Sequence, residues 1–161
     1  MVLPISKNEL ITIQRMAHDI WPICFKEMIS QEQIEYMLNW MYSIKQLEEN
    51  FDKGHDFIIL KSANEQLGFA SFEMRENKKS IRLHKLYVDP NKHHKGSGRK
   101  LLSSIIKKGR AQEYKSLDLF VNRTNPAVSF YEKLGFKIVE SLDLDIGNGY
   151  YMNDYRMKIE I

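Results

Sequence analysis

At 161 residues the chain is sized for one domain, 1–161, able to bury a sizeable core, and a hydrophobic share of 43% excludes a disordered chain. A net charge of +3 is too mild to mark a nucleic-acid partner, although a basic groove for a small polyanion needs no more. One cysteine, Cys24, excludes an internal disulfide framework, "MVLPISKNEL" lacks the plan of a signal peptide, and no apolar run approaches the ~20 residues of a membrane span; a cytoplasmic protein with no membrane partner is expected.

"VLPI" reads as a short edge strand. Helix is expected from about Lys7, with Pro22 breaking or kinking it. "SQEQIEYMLNWMYS" opens on a capping box, Ser30 with Gln33, and sets Ile34, Met37, Leu38 and Met41 on one helical face. "HDFIIL" and "LGFASFEM" read as strands joined by a turn near Ala63-Asn64-Glu65, and "SIRLHKLYVD" as a third strand stopped by Asp89-Pro90. Leu101, Leu102, Ile105 and Ile106 then form an amphipathic stripe that Gly109 is expected to end. "SLDLFV" alternates as a strand, Asn125-Pro126 starts a helix ending at Gly135, and two closing strands flank Gly147-Asn148-Gly149. The order implies an α/β (α+β) architecture, a mixed sheet with helices on both faces.

Between the third strand and the stripe lies "NKHHKGSGRKLL". Gly96 and Gly98 let backbone approach a ligand closely, and the helix that follows offers free N–H groups and a positive dipole end. With Lys92, His93, His94, Lys95, Arg99 and Lys100 around it, this is an anion site, or equally a surface turn with solvated bases. The P-loop pattern is absent, and a Rossmann fingerprint would need three glycines after the first strand. His93 and His94 are adjacent and poorly placed to share one metal, His18, His55 and His84 are scattered, and there is no cysteine cluster, so no metal is expected.

"LYVDPNKHHKGSGRKLL" followed by "LDLFVNRTNPAVSFYEKLGF" resembles the GNAT superfamily of acyl-CoA-dependent N-acyltransferases. Gly96 and Gly98 match that family's Arg/Gln-x-x-Gly-x-Gly/Ala turn, with His93 in the place of Arg or Gln and His94 replacing a frequent glycine. "ISQEQIEYMLNWMYS" and "DIGNGYYMNDYRM" are further similar to PaiA-type polyamine acetyltransferases. The resemblance implies a mostly antiparallel sheet of six to seven strands, splayed between the fourth and fifth, here about 81–89 and 116–122. It implies acetyl-CoA as co-substrate, its pantetheine lying in the gap against the backbone of Leu86, Tyr87 and Val88, with a Val88 amide at the oxyanion. The pyrophosphate is expected on the turn from His93 and His94 through Lys95, Gly96, Ser97, Gly98 and Arg99, with Lys92 and Lys100 reaching outer phosphates.

Asn122 and Asn125 are expected at the pantetheine. Tyr131 matches the usual general acid: a phenol of pKa about 10 can protonate a thiolate whose acid has pKa about 8.5. Glu73, His84 and Tyr87 are base candidates. A polyamine acceptor would want carboxylates and aromatic faces, for which Asp143, Asp145, Asp154, Glu27, Tyr36, Tyr150 and Tyr151 are available. The partner expected is a small-molecule amine acceptor, and the protein a monomer or homodimer. A protein or peptide N-acetyltransferase and a non-catalytic acyl-CoA-binding regulator are the alternatives.

Overall fold

A computed structural model of the chain describes residues 1–92 and 95–161. The N-terminal third is helical. α1 (Leu10–Phe25) buries Leu10, Ile13, Ala17, Ile20 and Trp21, a spacing of three and four that keeps one face inward. Pro22 sits inside α1 rather than ending it, and only the last turn follows it. α2 (Gln31–Met41) starts where expected, the Ser30 hydroxyl accepting from the Gln33 amide at 3.1 Å. α3 (Ile44–Asp52), which the residue pattern did not announce, repeats the device with Ser43 and the Gln46 amide at 3.2 Å.

The strands are β1 (Val2–Pro4), β2 (His55–Ser62), β3 (Glu65–Arg75), β4 (Ser80–Val88), β5 (Ser116–Asn122), β6 (Lys137–Gly147) and β7 (Tyr150–Glu160). They form one seven-stranded sheet in the order β1-β2-β3-β4-β5-β7-β6, antiparallel except for β4 with β5. α4 (Ser97–Ala111) is the crossover between that parallel pair, and α5 (Ala127–Lys133) follows β5. Gly109 does not stop α4: it lies buried within it, where an added Cβ would fall 2.4 Å from the Ile81 side chain. Two apolar cores result. Leu83, Leu101, Ile105, Leu119 and Met157 pack under α4 and α5 on one face, and Ile13, Trp21, Leu38, Leu47 and Phe69 under α1–α3 on the other. Each fully buried aliphatic side chain contributes about 1.5–3 kcal/mol. Among the described residues no helix is long and apolar enough to cross a membrane.

Two features position the cleft. The parallel ladder runs only from Ser80↔Ser116 to Leu83↔Leu119, after which β4 and β5 diverge. In the β3–β4 ladder, Ser71 faces Lys85 and Phe72 faces Leu83, so His84 is an extra residue, a β-bulge at the point of divergence. Before the bulge Ile81 and Leu83 face α4; after it Leu86 takes that face and Lys85 and Tyr87 turn toward α1.

At the root of the divergence Asp118 is 2% exposed and receives three arginines. Arg75 and Arg82 donate to it at 2.7 Å and Arg156 at 2.9 Å, linking β3, β4, β5 and β7. Burial by itself would raise the Asp118 pKa, but the hydrogen bonds from Arg82 and Arg156 outweigh it and hold the carboxyl below its ordinary 3.8. This stabilisation is therefore complete above that value and is lost as pH falls through the lowered one. Asp118→Ala leaves three guanidinium groups uncompensated and is expected to cost about 3 kcal/mol by urea denaturation at neutral pH, the deficit narrowing in acid.

Candidate functional site

The divergence of β4 and β5 opens a cavity of about 270 Å³. β4 contributes Leu86 and Tyr87, β5 contributes Asn122, α5 contributes Tyr131, β7 contributes Asp154, and α1 and α2 wall the far side with Trp21, Phe25 and Met37. The Asp89 amide donates to the Leu67 carbonyl at 2.9 Å. Strand alternation then turns the Tyr87 backbone the same way, toward β3, and aims the Leu86 and Val88 amides into the gap.

α4 begins at the mouth of this gap. Gly96, at φ +82°, precedes it in a conformation an L side chain adopts only with strain. At Gly98 an added Cβ would come 3.3 Å from the Phe130 ring and 3.6 Å from Leu86, so the first turn of α4 packs directly on α5 and β4. Ser97 is buried there, while Lys95, Arg99 and Lys100 are exposed around the helix N-terminus. Lys92 is not directed outward as expected: its ammonium donates to the Gln66 carbonyl at 2.7 Å and lies 3.4 Å from Asp89, because the β3 end offers it a closer acceptor. His93 and His94 lie outside the described residues.

Tyr131 is 6% exposed, set edge-on to Phe130 and Phe136 at 5.2 and 5.3 Å. Burial pushes its pKa well above the ordinary value, so the phenol stays protonated at neutral pH. Asn122 and Asn125 spend their carbonyl oxygens on local turns, accepting from the Thr124 amide at 2.9 Å and the Ala127 amide at 2.8 Å, and both line the cavity.

Two of the three base candidates, Glu73 and His84, are brought together at the bulge, while Tyr87 lies apart against Trp21 and Phe25 of α1, where burial pushes its phenol pKa up. His84 Nε2 lies 3.3 Å from Glu73 Oε2, and the His84 ring stacks on His55 at 4.0 Å with 9° between planes. His55 and His84 are thus not scattered, as their spacing suggested, although His18 stays apart on α1; β2, β3 and β4 place His55, Glu73 and His84 with ligand atoms within 4.8 Å of one another. Burial, with the charges of His55 and Lys85, lowers the His84 pKa to about 3, which leaves it neutral and weakly basic. Of His55, Glu73 and His84, only His84 lines the cavity.

The acceptor-side candidates separate sharply. Asp143 is paired with Arg123, Asp145 accepts from the Gly147 amide at 2.8 Å, and the Tyr36 hydroxyl donates to the Ile146 carbonyl at 2.8 Å while its ring meets Tyr150 at 5.3 Å. The Tyr36 contacts dock the β6–β7 hairpin on α2. Glu27 is exposed beyond α1. Asp154 and Tyr151 alone of the seven line the cavity.

The residue that sequence reasoning missed is Lys85. It is 6% exposed, lines the cavity, has the Tyr42 ring 4.9 Å from its ammonium, and makes no ion pair among the described residues. The available signal was a lysine at an inward position between Leu83 and Tyr87. Burial lowers its pKa to about 8.

The chain matches the family model for the acetyltransferase (GNAT) domain over residues 25–159. The spermidine N(1)-acetyltransferase of Thermoplasma acidophilum is 27% identical over 143 residues, 85% of this chain and 88% of the relative. Among solved structures, the PaiA N-acetyltransferase of Thermoplasma acidophilum in complex with coenzyme A superposes with a TM-score of 0.82 at 24% identity, over 100% of this chain and 98% of that one. The ribosomal-protein-S18-alanine N-acetyltransferase of Escherichia coli gives 0.76 at 18% identity, over 100% and 93%. At these identities the two structures speak to the fold.

A lysine whose pKa is lowered by folding destabilises the native state while protonated, and that penalty is relieved as pH rises from about 8 toward 10.5. Lys85→Met is therefore expected to raise stability at neutral pH by about 2–3 kcal/mol and to flatten the rise above pH 8, as read by thermal melting across pH.

Proposed function

Since the chain belongs to the GNAT family of acetyltransferases, we propose that it transfers the acetyl group of acetyl-CoA to a small primary amine by direct attack within a ternary complex. The observation that carries this reading is the gap between β4 and β5, with the α4 N-terminus at its mouth and Tyr131 inside it. Acetyl-CoA lies with its pyrophosphate on the amides of the Lys95–Arg99 turn, where Lys95, Arg99 and Lys100 add charge. Its pantetheine runs between the strands past Asn122 and Asn125, and the Leu86 and Val88 amides face the thioester, one of them receiving the oxyanion.

The amine enters from the α1–α2 side. Its nitrogen attacks the carbonyl carbon, the tetrahedral oxyanion collapses, the C–S bond breaks, and Tyr131 protonates the departing thiolate. The raised pKa of Tyr131 keeps that proton in place until a thiolate appears. A polyamine is the acceptor class we favour: the curated relative bears a spermidine acetyltransferase name, and an apolar wall facing a single buried carboxylate suits an alkylammonium chain.

Calorimetry should detect acetyl-CoA binding, and labelled acetyl-CoA offered against spermidine, spermine, amino acids, aminoglycosides and peptides should label a primary amine. Absence of acetyl-CoA binding would overturn the reading. Tyr131→Phe is expected to keep acetyl-CoA affinity and lose about 10²-fold or more in kcat; unchanged turnover removes Tyr131 from the acid role.

A further inference from the structure

We infer that Asp154 receives the acceptor's ammonium group and takes its proton. The inference rests on the acetyl-transfer reading and supplies the base that β3 and β4 do not.

Asp154 stands directly opposite Asn122 in the β5–β7 register, and opposed residues share a face of the sheet. Its side chain is therefore on the α1–α2 side with Met152, two residues away, across the gap from β4. It is 3% exposed and has no hydrogen-bond or ion-pair partner among the described residues. It is also the one carboxylate among the described residues lining the cavity. Arg123, the cation nearest in charge, is engaged by Ser141 at 2.7 Å and by Asp143. Elsewhere this chain neutralises its buried acid: Asp118 has three arginines. A carboxylate left unpaired inside a cavity is costly unless a ligand completes it, and a primary ammonium is the complement in charge and hydrogen-bond donors.

The chemistry balances. Asp154 takes one proton from the bound ammonium, which frees the nitrogen lone pair. After attack on the thioester, the second nitrogen proton replaces the one Tyr131 gives to the thiolate. The Asp154 proton leaves to solvent with the amide product, so one proton is released per acetyl transferred. Burial raises the Asp154 pKa to about 6, against the pull of Arg123, so the group is ionised at neutral pH yet more basic than an exposed carboxylate. The other ionisable groups facing it are Tyr87, Lys85, His84 and Arg82 of β4, Tyr131 of α5, Tyr151 of β7 and, beyond Tyr87, Cys24 of α1. Burial lowers His84 to about 3 and Lys85 to about 8, and none of these groups is a carboxylate.

The test compares wild type, Asp154→Asn and Asp154→Glu, using spermidine or the best amine of the panel, with kcat/KM followed from about pH 5 to 9. Wild type should show an acid limb near pH 6. Asp154→Asn should lose about 10²-fold or more in kcat/KM at neutral pH and lose that limb. It should keep acetyl-CoA affinity and melt at a higher temperature, because the amide removes an unpaired buried charge. Asp154→Glu should restore part of the activity and a shifted limb. A retained limb with near-normal turnover in Asp154→Asn overturns the inference, as does lost activity with lowered melting temperature and lost acetyl-CoA binding, which marks a structural role. A wild type that binds acetyl-CoA but labels no amine sinks the acetyl-transfer reading itself, and this inference with it.

Discussion

Three arginines converging on the buried carboxylate of Asp118 hold the sheet together where it begins to come apart. The parallel ladder between β4 and β5 is four residue pairs long and ends at Leu83↔Leu119, one step beyond Asp118. A sheet that opens along one edge needs its closed end secured against further fraying. The Asp118 cluster does this by tying strands that are distant in sequence to a single group whose removal would leave three charges uncompensated. The cavity exists because the strands diverge, and its dimensions persist because they do not diverge further.

The bulge at His84 is the second constraint. One extra residue on β4 reverses which side chains face each core, so Leu86 continues the packing under α4 while Lys85 and Tyr87 turn toward α1. It also coincides with the loss of pairing to β5, so the Leu86 and Val88 amides, which would join a fifth strand in a regular sheet, instead face the gap. The same irregularity thus exposes backbone donors and redirects polar side chains at one level of the sheet.

Around that level the chain departs from its own rules of satisfaction. Lys85 and Asp154 both line the cavity as buried charges without ion pairs among the described residues. Remote from the cavity, charged side chains such as Lys7 with Asp52 and Lys108 with Asp56 are paired. Two unpaired charges in one cavity cost stability and mark the place where a ligand supplies what the protein does not.

Much of this was legible in the amino-acid order. Local rules sufficed for the Ser30 cap, the alternation of β5, the stripe of α4 and the Asn125-Pro126 start of α5, since each depends on residues within one or two turns. The glycine turn and Tyr131 stood out through the resemblance of two motifs to the GNAT family. Gly109 was misread as a stop, and Pro22 does not break α1, because their costs are set by position in the finished helix and by the Ile81 neighbour, neither of which is local. The stacking of His55 on His84, the burial of Lys85 and the separation of Asp154 from Asp143 and Asp145 were decided only by tertiary structure. Strand register and the bulge bring together residues 11 to 29 positions apart, and whether a carboxylate is solvated, paired or buried alone depends on what those strands place opposite it.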